Sequence, residues 1–107
     1  MQISMNREGL EIRINKEDAK LTTELAGGLD TRTSPELEKE MIPLLSGVKE
    51  LVIDCTALDF ITSAGLRLLM KAAKIMDKQG EMTVTHPNSD VQEVFNLTGF
   101  DTLLTIR

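Results

Sequence analysis

The sequence predicts an α/β fold, a mixed β-sheet of about five strands with helices packed on it. Three observations carry this expectation. Runs with strand character alternate with runs of helical periodicity along the 107 residues. Leu51–Met76 joins an almost wholly apolar run to an amphipathic helix through a short connection. The first two long strand-like runs follow one another directly, as in a hairpin, so antiparallel and parallel neighbours must coexist. The length fits one domain spanning residues 1–107, enough to bury roughly two-thirds of its unfolded surface.

In order, Met1–Asn6 alternates apolar and polar residues, so residues 1–9 read either as an edge strand or as an N-terminal extension. Leu10–Asn15 alternates cleanly, Lys16-Glu17-Asp18 is a polar turn, and Ala19–Leu25 returns as the second arm of the hairpin. Ala26-Gly27-Gly28 is expected to break that strand. The first helix starts at Thr33-Ser34-Pro35-Glu36, either through a Thr33/Glu36 capping box or with Ser34 as cap and Pro35 in the first helical position. Its apolar stripe is Leu37, Met41, Leu44 and Leu45. Pro43 should kink or tighten its last turn, and Ser46-Gly47 closes it.

Five of the seven residues in Leu51–Ala57 are apolar or Cys, which reads as a strand buried on both faces. Leu58–Thr62 is expected to be a connection, with the hydroxyl of Thr62 or Ser63 capping the next helix. That helix presents Leu66, Leu69, Met70, Ala73 and Met76 on one face, widened by Leu68, Ala72 and Ile75, and Gln79-Gly80 caps its end. Glu81–His86 is the next strand. Pro87-Asn88-Ser89 ends it, and Ser89 has capping-box spacing with Gln92. A short helix turns Val91, Val94, Phe95 and Thr98 inward and stops at Gly99, and Leu103–Arg107 is a last strand.

Composition narrows the function classes. A net charge of −5 without a basic face argues against nucleic acid as the main partner. No apolar run approaches the roughly 20 residues of a membrane span. Met1–Glu8 lacks the basic start and apolar middle of a secretory signal, and the single Cys55 suits a reducing compartment, so a cytoplasmic location is expected. Catalytic patterns fail on inspection. Cys55 has Ile61 where a Cys-x5-Arg phosphatase loop needs arginine, and reads as a buried structural thiol. With His86 alone, no paired histidine metal site can form. A Ser63/His86 hydrolase lacks the first glycine of the nucleophile elbow. Asp30, Asp54 and Asp59 could gather at a sheet edge around a cation, but read better as turn and cap carboxylates. No phosphate-cradling glycine motif is present, so nucleotide binding rests on the glycines alone. The expectation is a non-enzyme without cofactor or metal.

The remaining feature is a serine at the head of a buried helix. Free amides in a first helical turn and the helix dipole favour an anion there. Phosphorylating Ser63 would add about −1.5 to −2 charges while the fold survives. The residues around it resemble a family. Val52-Ile53-Asp54 followed by Thr62-Ser63-Ala64-Gly65-Leu66, then Gly27-Gly28-Leu29-Asp30, then Phe95-Asn96-Leu97-Thr98-Gly99-Phe100, are similar to motifs of the STAS-domain anti-sigma factor antagonists. The resemblance runs from about Leu10 to Arg107. Two departures stand out: Thr62 replaces the acidic residue usual before the serine, and Ala64 replaces a second hydroxyl.

The resemblance implies a partner-switching regulator. Its unmodified form would bind an anti-sigma factor with serine kinase activity and free the sigma factor. Phosphorylation at Ser63, with Thr62 as alternative acceptor, would break the complex, and a serine phosphatase would restore it. The implied contact surface comprises Asp30, Thr31, Thr33, Asp59, Phe60, Thr62, Ala64, Gly65, Leu66 and Arg67. The alternative is an unphosphorylated STAS scaffold or accessory subunit of a transporter or sensor complex, which Thr62 favours.

Overall fold

The computed structural model describes every residue from Met1 to Arg107. Six strands form one sheet: β1 (Gln2–Arg7), β2 (Leu10–Glu17), β3 (Lys20–Leu29), β4 (Glu50–Ile61), β5 (Glu81–Thr85) and β6 (Thr105–Ile106). They lie in chain order across the sheet. β1, β2 and β3 pair antiparallel, and β3 to β6 pair parallel. The sheet is therefore mixed, as expected, with six strands rather than about five. The N-terminal run is a true edge strand, whereas the final strand shrinks to two residues because Phe100–Thr102 winds into a 3₁₀ turn.

Three helices follow the parallel strands: α1 (Ser34–Met41), α2 (Ser63–Asp77) and α3 (Ser89–Thr98). Alternate strand residues, among them Ile12, Ile14, Leu21, Leu25, Leu51, Ile53 and Val84, join residues from all three helices in one buried cluster. The intervening residues Arg13, Thr22, Glu24, Val52, Asp54, Thr83 and Thr85 are half-buried or exposed. β4 is thus covered on one face only. The expectation of burial on both faces fails because Val52 and Asp54 lie on an open, polar face of the sheet.

β4 also runs four residues past the predicted end. Its pairing with β3 slips twice, between Asp54 and Ala57 and between Leu58 and Phe60, and each slip puts one extra residue into β4. The buried residues therefore run Ile53, Cys55, Leu58, Ile61, with the period lengthening from two to three. A period of three matches no regular strand pattern, so Leu58–Thr62 read as a loop. The same slips let β3 continue through Ala26-Gly27-Gly28 instead of breaking there.

Helix ends depart from the predicted caps. Thr33 precedes α1 in a helical conformation and its hydroxyl makes no capping bond, being used elsewhere. Thr62 occupies the N-cap position of α2, yet its Oγ1 is buried without a partner. Asn88, not Ser89, caps α3, accepting from the Val91 amide at 2.8 Å. Ile42–Leu45 tightens into a 3₁₀ turn at Pro43, and Gly99 ends α3 at φ 78°. Gly80 is not a left-handed cap; it lies directly against the Lys49 carbonyl, where a side chain has no room. Thr98 is exposed rather than inward-facing, its hydroxyl donating back to the Val94 carbonyl.

Gly65, in the first turn of α2, makes room for two side chains. A Cβ there would lie 2.7 Å from Cγ1 of Ile61 and 2.9 Å from Cγ of Leu29. Overpacking should outweigh the gain in helix propensity, so Gly65→Ala is expected to cost about 1–2 kcal/mol. A urea midpoint that falls with unchanged slope would bear this out, and an unmoved midpoint would refute it.

Candidate functional site

Three segments meet where β3 and β4 end. The last pairs of their ladder are Gly28 with Phe60 and Leu29 with Ile61, and the Thr62 amide then donates to the Leu29 carbonyl at 3.0 Å. The loop to α1 and the start of α2 thus leave the sheet side by side. Gly28 is what allows the Phe60 ring to lie over β3, since a Cβ at that position would run into the ring. Phe60 remains 47% exposed and Asp59 is exposed beside it. Asn88 fixes this end of β4 from the far side: its Nδ2 donates to the carbonyls of Leu58 at 3.0 Å and Asp59 at 3.3 Å. Asn88 escaped the sequence reading because its side chain serves a segment thirty residues away. Its place just before a helix was the one available signal.

The loop before α1 is held by two side chains. The Asp30 carboxylate accepts from the amides of Arg32 at 2.9 Å and Thr33 at 3.0 Å. The Thr33 hydroxyl donates to the Gly28 carbonyl at 2.8 Å and accepts from the Asp30 amide at 2.8 Å. The backbone bond to Thr33, then that to Arg32, holds the Asp30 carboxyl below its ordinary 3.8.

The ten predicted contact residues and Ser63 do converge on this region, but they divide by exposure. Thr31, Asp59, Phe60, Ser63 and Arg67 are exposed, and Asp30, Thr62 and Ala64 are half-buried. Thr33, Gly65 and Leu66 are buried and serve as support beneath the surface. Thr31, Ala64 and Arg67 line an open groove of about 690 Å³ between α1 and α2. The two candidate acceptors differ sharply: Ser63 is exposed in the first turn of α2, whereas the Thr62 hydroxyl oxygen is buried. No side chain caps α2, so its first-turn amides remain open to an anion.

The thiol candidate sits elsewhere. Cys55 is buried in the core, and desolvation, with the neighbouring Asp54 carboxylate, pushes its thiol up to about 12. Such a thiol is not a nucleophile at neutral pH. For Asp54, partial burial pushes upward, but bonds from the Thr56 hydroxyl and amide outweigh it and leave the carboxyl lowered. No three His, Cys, Asp or Glu residues gather as metal ligands, so Asp30, Asp54 and Asp59 do not form the cation site considered above. No helix is long and apolar enough to cross a membrane.

Known proteins share this sequence pattern and fold. The profile described as "Mlab, STAS domain" matches residues 12–105. BtrV of Bordetella bronchiseptica, assigned as an anti-sigma factor antagonist, is 32% identical over 93 residues, covering 85% of this chain and 80% of BtrV. The chain is a member of the STAS-domain anti-sigma factor antagonist family. Its fold recurs in a Thermotoga maritima protein assigned to the same class, with TM-score 0.80 at 19% identity, covering 87% of this chain and 82% of that one. It recurs also in phosphorylated SpoIIAA from Bacillus, with TM-score 0.70 at 15% identity and 90% coverage of both chains. At these identities the structures speak for the STAS fold alone.

Two outcomes are expected from the loop of this STAS domain. Thr33→Val leaves the Gly28 carbonyl and the Asp30 amide without their partner and should cost about 1–3 kcal/mol in urea unfolding; a loss below measurement error would contradict the assignment. Asp30, with its folded pKa depressed, stabilises the loop above about pH 4, and that contribution is lost as pH falls through the folded value. A carboxyl NMR titration should give a midpoint below 3.8 for Asp30, and a midpoint at or above it would refute the bonding.

Proposed function

We propose that this STAS domain is an anti-sigma factor antagonist that switches partners by phosphorylation of Ser63. Its unmodified surface, centred on Thr31, Asp59, Phe60, Ala64 and Arg67, binds an anti-sigma factor that is also a serine kinase, and so releases the sigma factor. The likeness to BtrV supports the role. The observation that carries the switch is the contrast at the head of α2, where Ser63 is exposed and the Thr62 hydroxyl is buried. A kinase can reach Ser63 without opening the fold, whereas Thr62 would first have to leave its packing.

Phosphate on Ser63 brings about −1.5 to −2 charges next to uncapped helical amides, so the folded state tolerates it. Outward, that charge lies near Asp59, adding to the negative potential a partner must meet. Arg67, one turn on, neutralises part of it. A serine phosphatase would reset the surface. The second reading, a constitutive scaffold in a transporter or sensor complex, draws on Thr62 standing where a kinase would expect a carboxylate.

Binding to the anti-sigma factor of the same host separates the two. Ser63→Asp should weaken the complex at least about tenfold, roughly 1.4 kcal/mol, while Ser63→Ala should bind like the unmodified protein. Equal binding by Ser63→Asp and wild type would rule out the switch.

A further inference from the structure

The solvent-facing side of α2 carries a basic row that was not apparent in the sequence and of which the proposed switch uses only Arg67. Arg67, Lys71, Lys74 and Lys78 recur at intervals of four, three and four residues, and all are exposed. At 100° per residue they fall within an arc of about 60°, in a row about 16 Å long. A third of the twelve basic residues of a chain with net charge −5 are gathered in this one row. Its only close ion pair is between Lys71 and Glu38, at 2.8 Å across to α1. Both partners there are exposed, so the pair is weakly held and exchangeable.

Apolar surface lies alongside. A hollow of about 380 Å³ is lined by Arg67, Met70, Lys71, Lys74 and Phe100, and by no carboxylate. Met70 and Phe100 form its apolar part, each half-buried against the core. Leu97 and Leu103, on either side of Phe100 in the chain, are 79% and 61% exposed. Three cations over two apolar side chains match a ligand that carries both carboxylates and aliphatic groups.

We propose that this row and its hollow form a docking strip for an acidic, amphipathic segment of a partner protein. A polypeptide segment fits the dimensions: three helical turns would lay carboxylates along the row and one or two apolar side chains into the hollow. Broad polyanions fit less well. A duplex or an anionic bilayer reaching the row would also meet Glu38 and Asp77 at its margins and the acidic remainder of the chain. Ser63 lies one turn before Arg67 on the same side of the helix, so the strip begins at the hydroxyl discussed above. The strip itself does not depend on phosphorylation or on the partner being an anti-sigma factor.

The test titrates the isotope-labelled full chain with a short synthetic peptide bearing Glu and Leu at helical spacing. The amide shifts should concentrate at residues 67–78 and at Phe100. Affinity should fall about tenfold in K71E/K74E/K78E and stay unchanged in R13E on the open face of the sheet. Raising salt from about 50 to about 500 mM should weaken the wild-type complex comparably, which tests the charge contribution even if the triple variant folds poorly. No binding, shifts centred elsewhere, or affinity indifferent to salt would overturn the proposal. So would phosphatidylglycerol vesicles or a DNA duplex engaging the row while the peptide does not.

Discussion

Everything at the functional end of this molecule depends on how β3 and β4 pair after their register first slips. Two regular parallel strands would carry Cys55, Leu58 and Ile61 to alternating faces. The first extra residue in β4 turns Leu58 to the core side and the second keeps Ile61 there with it, so a twelve-residue strand stays anchored by apolar side chains to its last residue. The backbone bond from Thr62 to Leu29 then fixes where α2 starts relative to the loop before α1. Gly28 and Gly65, both at this junction, leave the volume that Phe60, Ile61 and Leu29 occupy. A surface assembled in this way is set by the core.

Polar anchoring follows the same logic. Asp30, Thr33 and Asn88 each satisfy main-chain groups at the end of the sheet or in the loop that leaves it, where an unpaired amide or carbonyl would be costly. None of the three needs to touch a partner to shape the proposed contact surface. By contrast the exposed Ser63 hydroxyl makes no hydrogen bond within the chain, so the proposed modification would break none. The electrostatics are uneven to match: an acidic chain carries a cationic row on α2, and carboxylates at Asp30 and Asp59 lie near its head.

Much of this was legible in the sequence where local periodicity and core packing agree. The helix from Ser63, the hairpin of β2 and β3, the tightening at Pro43 and the stop at Gly99 all follow from residue spacing and turn chemistry. The motifs around Gly28, Ser63 and Phe95 pointed to the family that the comparisons then showed. What escaped depends on contacts between distant segments. The bulges of β4 have no signature in a window of seven residues, because Leu58 and Ile61 are placed by pairing with Gly27 and Leu29. The open face of the sheet could not be foreseen from Val52 and Ala57, which look like core residues. Capping-box spacing misled at Thr33 and Ser89, since the Thr33 hydroxyl is committed to Gly28 and Asp30, and Asn88 reaches the free amide first.

The proposed switch requires Ser63 to be the modified group. The most direct measurement is intact mass spectrometry with site mapping on the protein isolated from its own host under several growth conditions. A fraction heavier by one phosphate is expected, located on Ser63, with Thr62 unmodified. Phosphate on Thr62, or none under any condition, would contradict it.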